Sequence, residues 1–249
     1  MYKRQVLERL GKSFVQAGGV APGKKRLIIV FSTDKGLCGS LNTNIFKSIS
    51  EIGRADADYI AVGTRAGRFI AKSGRSLKGQ FKIGDTVTFA QTSKIANFAI
   101  KLAKESGEYG SIEVLYPIFV NTLKQETALV KLAPVDDLHT FIDRLRKTYK
   151  MDGMPRVEED RNIKFEPSAD EVLSRLPQFY IKQSLHHIAL DAKASEHSAR
   201  MVAMKSASDN ADTLMAELNL EYNKARQSAI TTEILELSSA AAETNNDTI

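Results

Sequence analysis

The sequence predicts an α/β protein, an open, mostly parallel, Rossmann-like sheet domain followed by one long C-terminal helix. Three observations carry that prediction. Apolar runs of strand length alternate with helical patterns between 24 and 132. From Gln178 to Ile249 there is neither a glycine nor a proline, although the chain holds 15 Gly and 6 Pro. The same tail repeats apolar residues in alternating steps of four and three.

The first strand is read in KKRLIIVFS, Lys24–Ser32, a continuous apolar run of the kind buried on both faces. A glycine-punctuated loop, STDKGLCGSLN, follows it, and a helical pattern runs from about Leu41 to Ile52. Tyr59–Gly63 is a second buried strand, with a short helix near Arg65–Lys72 and a third strand over Leu77–Ile83. Thr92–Glu105 has helical spacing through Ile95, Phe98, Ala99 and Leu102; Ser111–Val120 and Thr127–Leu132 are further strands. Alternation of this kind implies an open, mainly parallel sheet. Residues 134–164 are polar and carry Pro134, Gly153 and Pro155, as a connecting segment would. Ser168-Ala-Asp-Glu171 has the form of a capping box opening a helix that Pro177 kinks or restarts.

Glycine and proline are the residues that break helices, costing ~1 and ~3 kcal/mol relative to alanine. A tail without them can form one helix of ~100 Å at ~1.5 Å per residue. Its seam runs from Leu173 through Tyr180, His187, Met201, Met215 and Tyr222 to Ala229, with polar residues such as Lys205, Asp212 and Glu221 on other faces. That 3.5-residue period is a left-handed coiled-coil seam. Tyr2–Phe14, the available helical stretch at the other end of the sequence, covers ~20 Å of it.

Charge divides with the architecture. Residues 1–177 hold 29 Lys/Arg against 20 Asp/Glu, and residues 178–249 hold 6 against 10. The cations of the head are scattered rather than interleaved with aromatics, which speaks against nucleic-acid binding and for contacts to different protein surfaces. Cys38 is the one cysteine, so an internal disulfide is excluded. No apolar run reaches the ~18 residues of a membrane span. The N-terminal residues do not read as a signal or transit peptide.

The chemical candidates are weak. Gly36-x-x-Gly39 after the first strand is too short for a dinucleotide fingerprint and lacks a Walker lysine, so a strand-to-helix turn is the better reading. Cys38, without a neighbouring His or second Cys, reads as a buried structural thiol. His187 and Asp191 have i, i+4 spacing, but two ligands make a poor metal site. The residues support neither a cofactor nor a catalytic constellation of the chain's own. A nucleotide-dependent α/β enzyme with a coiled-coil dimerisation tail is the alternative; a structural coiled-coil adaptor is another.

Two segments carry a specific resemblance. Ser32–Asn44, STDKGLCGSLNTN, and Ser195–Ala242, SEHSARMVAMKSASDNADTLMAELNLEYNKARQSAITTEILELSSAAA, closely resemble the gamma subunit of the F-type ATP synthase. Phe165-Glu-Pro-Ser168, leading into Leu176-Pro-Gln-Phe-Tyr180, resembles that family's entry to its C-terminal helix. The resemblance implies a central rotor shaft, half of an antiparallel coiled coil within a ring of alpha and beta subunits. It implies further contacts with the epsilon subunit (delta in mitochondria) and the c-subunit ring. Proton flow is then coupled to ATP synthesis on the beta subunits. Arg226, Gln227, Thr231 and Glu233 match family positions that contact beta and alpha subunits, and Arg200 matches an arginine implicated in coupling.

The expected organisation is a remnant of the N-terminal helix over 1–17, the α/β domain with its connecting loop over 24–165, the coiled-coil helix over 168–243 and a tail over 244–249. The resemblance implies a longer N-terminal helix, so a misplaced start, a fragment, or a separate polypeptide supplying that helix are the three readings. No regulatory cysteine pair of the chloroplast type is present. The expected location is peripheral, on the cytoplasmic face of a bacterial inner membrane, with the matrix face of the mitochondrial inner membrane as the alternative.

Overall fold

A computed structural model describes residues 25–133 and 168–246 of the chain, in two units, Met1–Met201 and Val202–Ile249. The expectations for 1–17, for the connecting segment and for the last residues of the tail lie outside the described residues. In the first unit the order is β1 (Lys25–Phe31), α1 (Leu41–Glu51), β2 (Ala57–Val62), α2 (Thr64–Lys72), β3 (Leu77–Phe81), α3 (Phe89–Ser106), β4 (Tyr109–Phe119) and β5 (Gln125–Ala133). The last helix, α4 (Ala169–Asn246), begins in this unit and continues through the second.

The strands form one sheet in the order β3-β2-β1-β4-β5. The first four are parallel and β5 returns antiparallel to β4. β1 is central, with Ile29 opposite Ile60 on one side and Val114 on the other. Both faces of β1 are buried, which is why its sequence is a continuous apolar run instead of an alternating one. Leu27, Ile29 and Phe31 face a core shared with Ile95, Ala96 and Ala99 of α3. Ile28 and Val30 face Ile45 and Ile49 of α1 and Ala66 and Ile70 of α2. The sheet is therefore doubly wound, as the alternating pattern requires.

Local chemistry sets the boundaries. Thr88 and Gln91 form a reciprocal capping box at the start of α3, and Gly107 closes it in the left-handed conformation (φ 61°). This places the first turn of α3 at Phe89, three residues ahead of the expected start. At the other long helix, Ser168 Oγ accepts from the Glu171 amide at 3.3 Å, as its capping motif predicts. The helix runs unbroken through Pro177, where a kink or restart is expected from sequence. Proline costs one intrahelical hydrogen bond there, while the next turns are held by burial of Ile181 and Leu185 against the sheet.

Two polar pairs are built into the sheet. Arg26 on β1 donates through Nε to Glu113 on β4 at 3.0 Å, and its second guanidinium nitrogen reaches the other carboxylate oxygen. Burial raises the Glu113 pKa, but donors from Arg26 and Ser111 outweigh it and hold the carboxyl below its usual range. Likewise burial raises Asp58, while the Tyr109 hydroxyl at 2.7 Å, Ser76 and Lys78 bring it below the usual value. Burial, reinforced by Asp58, pushes the Tyr109 hydroxyl well above the normal phenol range.

Candidate functional site

In a doubly wound sheet the strand order reverses on either side of the first strand, and ligands bind in the crevice beyond the strand C-termini at that point. Here the crevice lies beyond β1 and β4, and the chain uses its own groups on both sides of the β1 end, first toward α2, which follows β2. Asp34 accepts from the Thr64 amide at 2.8 Å and from the Thr64 hydroxyl at 2.6 Å. Ser32 Oγ accepts from the Ala66 amide at 2.9 Å. These amides at the start of α2 are the donors that would otherwise hold a phosphate.

The close approach is possible because residue 63 is glycine. Its φ is +105°, and a Cβ there would stand 2.2 Å from the Ser32 carbonyl oxygen. Above the crevice, Ser195 of α4 donates to the Pro117 carbonyl at 2.9 Å. What remains is a cavity of about 20 Å³, lined in part by Ser32, Gly63, Ile83 and Glu196. That is room for one water, against the several hundred Å³ of a ligand pocket. A nucleotide does not fit this crevice as the described residues line it, and the Gly36–Gly39 segment is the strand-to-helix turn expected of it.

Cys38 in this turn is buried, as expected of a structural thiol. It receives the Asn42 amide at 3.2 Å and clusters with Leu41 and Ala199. Beside it, Leu37 adopts a left-handed φ of 62° and is 72% exposed. A non-glycine residue in that region is uncommon, and sequence reasoning did not single it out.

The five predicted contact residues fall into two groups. Arg200 belongs to the first unit, where its guanidinium meets Glu196 at 2.8 Å. Glu196, only 6% exposed, also takes Lys193 at 2.9 Å, and Lys193 lies 3.8 Å from Asp85 on the surface. Arg200 is thus anchored by a nearly buried carboxylate shared between two cations.

Arg226, Gln227, Thr231 and Glu233 belong to the second unit, where all four are exposed. Helical periodicity alone arranges them. Gln227 and Thr231 share one stripe at i, i+4, and Arg226 and Glu233 share another at i, i+7. The Thr231 hydroxyl donates to the Gln227 carbonyl at 2.8 Å. The side chains of Arg226, Gln227 and Glu233 have no hydrogen-bond or ion-pair partner among the described residues.

In the first unit α4 carries two apolar stripes. The seam read from sequence stays open to solvent at His187, Ala194, His197 and Met201. The stripe that the sheet buries is the neighbouring one, Ile181, Leu185, Ile188, Ala192, Ser195 and Ala199. It also advances by fours and threes, so the periodic signal was present in the sequence, two positions out of phase with the seam. In the second unit the seam continues through Met204, Met215, Leu218 and Tyr222, which are 42 to 65% exposed.

Of the histidines, His186 packs edge-on against Phe89 and lies 3.3 Å from the Thr92 hydroxyl. Burial raises the Asp191 carboxyl, with His187 one turn away pulling it the other way. No group of three or more metal-ligating side chains occurs among the described residues.

A family model described as ATP synthase matches residues 3–243. An ATP synthase gamma chain from Opitutus terrae is 42% identical over 217 residues, spanning 87% of this chain and 73% of that one. The counterpart from Methylacidiphilum infernorum is 40% identical over 222 residues, with the same two coverages. Among solved structures, a chain in the Euglena gracilis mitochondrial ATP synthase, OSCP/F1/c-ring, matches with a TM-score of 0.67 at 20% identity. It covers 91% of this chain and 75% of that chain. A chain of the rotor from the same source matches with a TM-score of 0.60 at 17% identity, covering 92% and 91%. The structural likeness speaks to the fold, while the sequence relationship decides the lineage: the chain belongs to the ATP synthase gamma chain family.

Proposed function

We propose that this chain is the central rotor stalk subunit of an F-type, proton-translocating ATP synthase. By rotating, it couples proton translocation to ATP synthesis or hydrolysis on the beta subunits. The observation that carries this reading is the exposed apolar seam of the second unit, Met204, Met215, Leu218 and Tyr222, on a helix belonging to a gamma-chain family member. An apolar stripe of that extent is unfavourable in water and calls for a covering surface.

In this reading the helix over 168–243 is half of an antiparallel coiled coil inside the ring of alpha and beta subunits. The α/β domain over 24–165 meets the epsilon subunit (mitochondrial delta in the alternative) and the c-subunit ring. Arg226, Gln227, Thr231 and Glu233 make transient polar contacts with beta and alpha subunits, and Arg200 transmits strain through Glu196 to the sheet domain. Coupling requires contacts that differ between the partners' states, and unpaired side chains on a rigid helix supply groups that can bond and release. The chemistry resides on the beta subunits. Among the described residues, the crevice at the strand ends has no room for a nucleotide. No described helix is long and apolar enough to cross a membrane, and attachment is peripheral, through partners, on the cytoplasmic face.

The test has two arms. An affinity-tagged chain should bring down alpha, beta and epsilon subunits, and failure to do so counts against the reading. Replacing Gln227 and Thr231 together by alanine should lower proton-driven ATP synthesis in reconstituted vesicles without unfolding the sheet domain. Unchanged synthesis would refute the assignment of those two residues.

A further inference from the structure

We propose that the β3 margin of the sheet domain is a docking edge for an acidic, extended segment of a partner protein. From Thr64 to Lys82 the chain carries Arg65, Arg68, Lys72, Arg75, Lys78 and Lys82 and no Asp or Glu, although the whole chain is nearly balanced at 35 cations to 30 anions. The fold gathers this run into one place. α2 packs beside β3, close enough that a side chain at Gly67 would meet Gln80 within 2.6 Å. α2 buries Ala66, Gly67 and Ile70, which leaves Arg65, Arg68 and Lys72 on its exposed flank at i, i+3 and i+7.

Two of the six cations have work inside the domain. Arg75 donates to the Ile52 carbonyl at 2.7 Å and to the Tyr59 hydroxyl at 3.0 Å, and Lys78 pairs with Asp58 at 3.4 Å. Arg65, Arg68, Lys72 and Lys82 are exposed and have no ion-pair partner among the described residues. Positive charge concentrated without counter-ions on one surface raises the local concentration of anionic partners.

The second observation is the strand itself. β3 is the last strand of the sheet on its side, and among the described residues nothing pairs with its outer edge. That edge offers backbone donors and acceptors to an added strand. Lysines on an edge strand discourage pairing with copies of the same strand, because like charges would face each other. The flanking cations without an ion-pair partner among the described residues, Arg65, Arg68 and Lys72 on α2 and Lys82 just after the strand, favour a strand rich in Glu or Asp. A lipid surface or a nucleic acid satisfies the cations but leaves the strand edge unused, so an extended acidic polypeptide is the occupant that uses both features.

The probe is a fluorescein-labelled peptide of about ten residues alternating Glu and Thr, titrated against the full chain, with Lys-for-Glu peptide as the reference. Binding should weaken as salt rises. The triple variant Arg68→Glu, Lys72→Glu, Lys82→Glu should bind at least about tenfold more weakly, because like charges across an interface repel. Lys47→Glu, Lys104→Glu, Lys205→Glu imposes the same charge change elsewhere and should bind as the parent does. Matching thermal melts of the two triple variants exclude misfolding as the cause. Hydrogen exchange at the outward-facing β3 amides should slow on peptide binding. Equal loss in both triple variants, no added protection, or outward-facing β3 amides (those not bonded to β2) already protected in the free chain each overturn the proposal. So does binding of phosphatidylserine vesicles or an oligonucleotide through these cations with no binding of the Glu-Thr peptide.

Discussion

Leu185 and Leu190 sit on the same helix, five residues apart, and should respond very unequally to truncation. Leu185 is 0% exposed in the core beneath α4, whereas Leu190 is 42% exposed on the open seam. Leu185→Ala removes three buried carbons at ~0.8 kcal/mol each, or ~2.4 kcal/mol. The cavity left in a packed core brings the expected loss to about 3–4 kcal/mol. Leu190→Ala leaves no cavity, and with its partial burial the loss is about 1 kcal/mol. Urea unfolding followed by tyrosine fluorescence reads the domain directly, because Tyr59 and Tyr109 are almost wholly buried within it. Leu185→Ala should lower the midpoint markedly and Leu190→Ala slightly. Equal shifts, or a Leu185→Ala loss below about 1 kcal/mol, would refute the claim that the Ile181–Ala192 stretch of α4 is a core element of the sheet domain.

Other expectations follow from the same geometry. Gly63→Ala should cost ~3 kcal/mol or more, since it combines a left-handed φ with backbone contact; Gly39→Ala, with φ +57° and open space around it, should cost only ~1–2 kcal/mol, and urea midpoints compare the two. Glu196→Gln leaves Lys193 and Arg200 without their shared anion and should destabilise by ~2 kcal/mol, read as a drop in melting temperature that added salt reduces in the parent more than in the variant. Asp58 and Glu113 have depressed folded-state pKa values. Their contribution is therefore present above the unfolded carboxylate pKa of ~4 and is lost as pH falls through the lower folded values. Glu113→Gln should flatten the acid side of the stability profile, and an unchanged slope below the unfolded carboxylate pKa of ~4 would contradict the sign of that shift.

The sequence by itself determined the α/β alternation, the burial of β1 on both faces, the long C-terminal helix and, through two long motifs, the family. These are local signals. Continuous apolar runs mark doubly buried strands, the lack of breakers permits one helix, and a 3.5-residue period marks a seam. Arg226, Gln227, Thr231 and Glu233 were marked as expected contact positions by resemblance alone, and helical geometry explains their division into two stripes. Tertiary structure decided what periodicity leaves ambiguous. Two apolar stripes at the same spacing look alike in sequence, and only packing assigns Ile181, Leu185 and Ile188 to the sheet while Leu190 and Met201 remain open. The fate of the glycine loop also depended on distant partners, because Asp34 and Ser32 cap a helix that begins some thirty residues later at Thr64, and Ser195 closes the crevice from the far end of the chain. Contacts between residues so separated in sequence are set by how the layers stack, which local pattern does not encode.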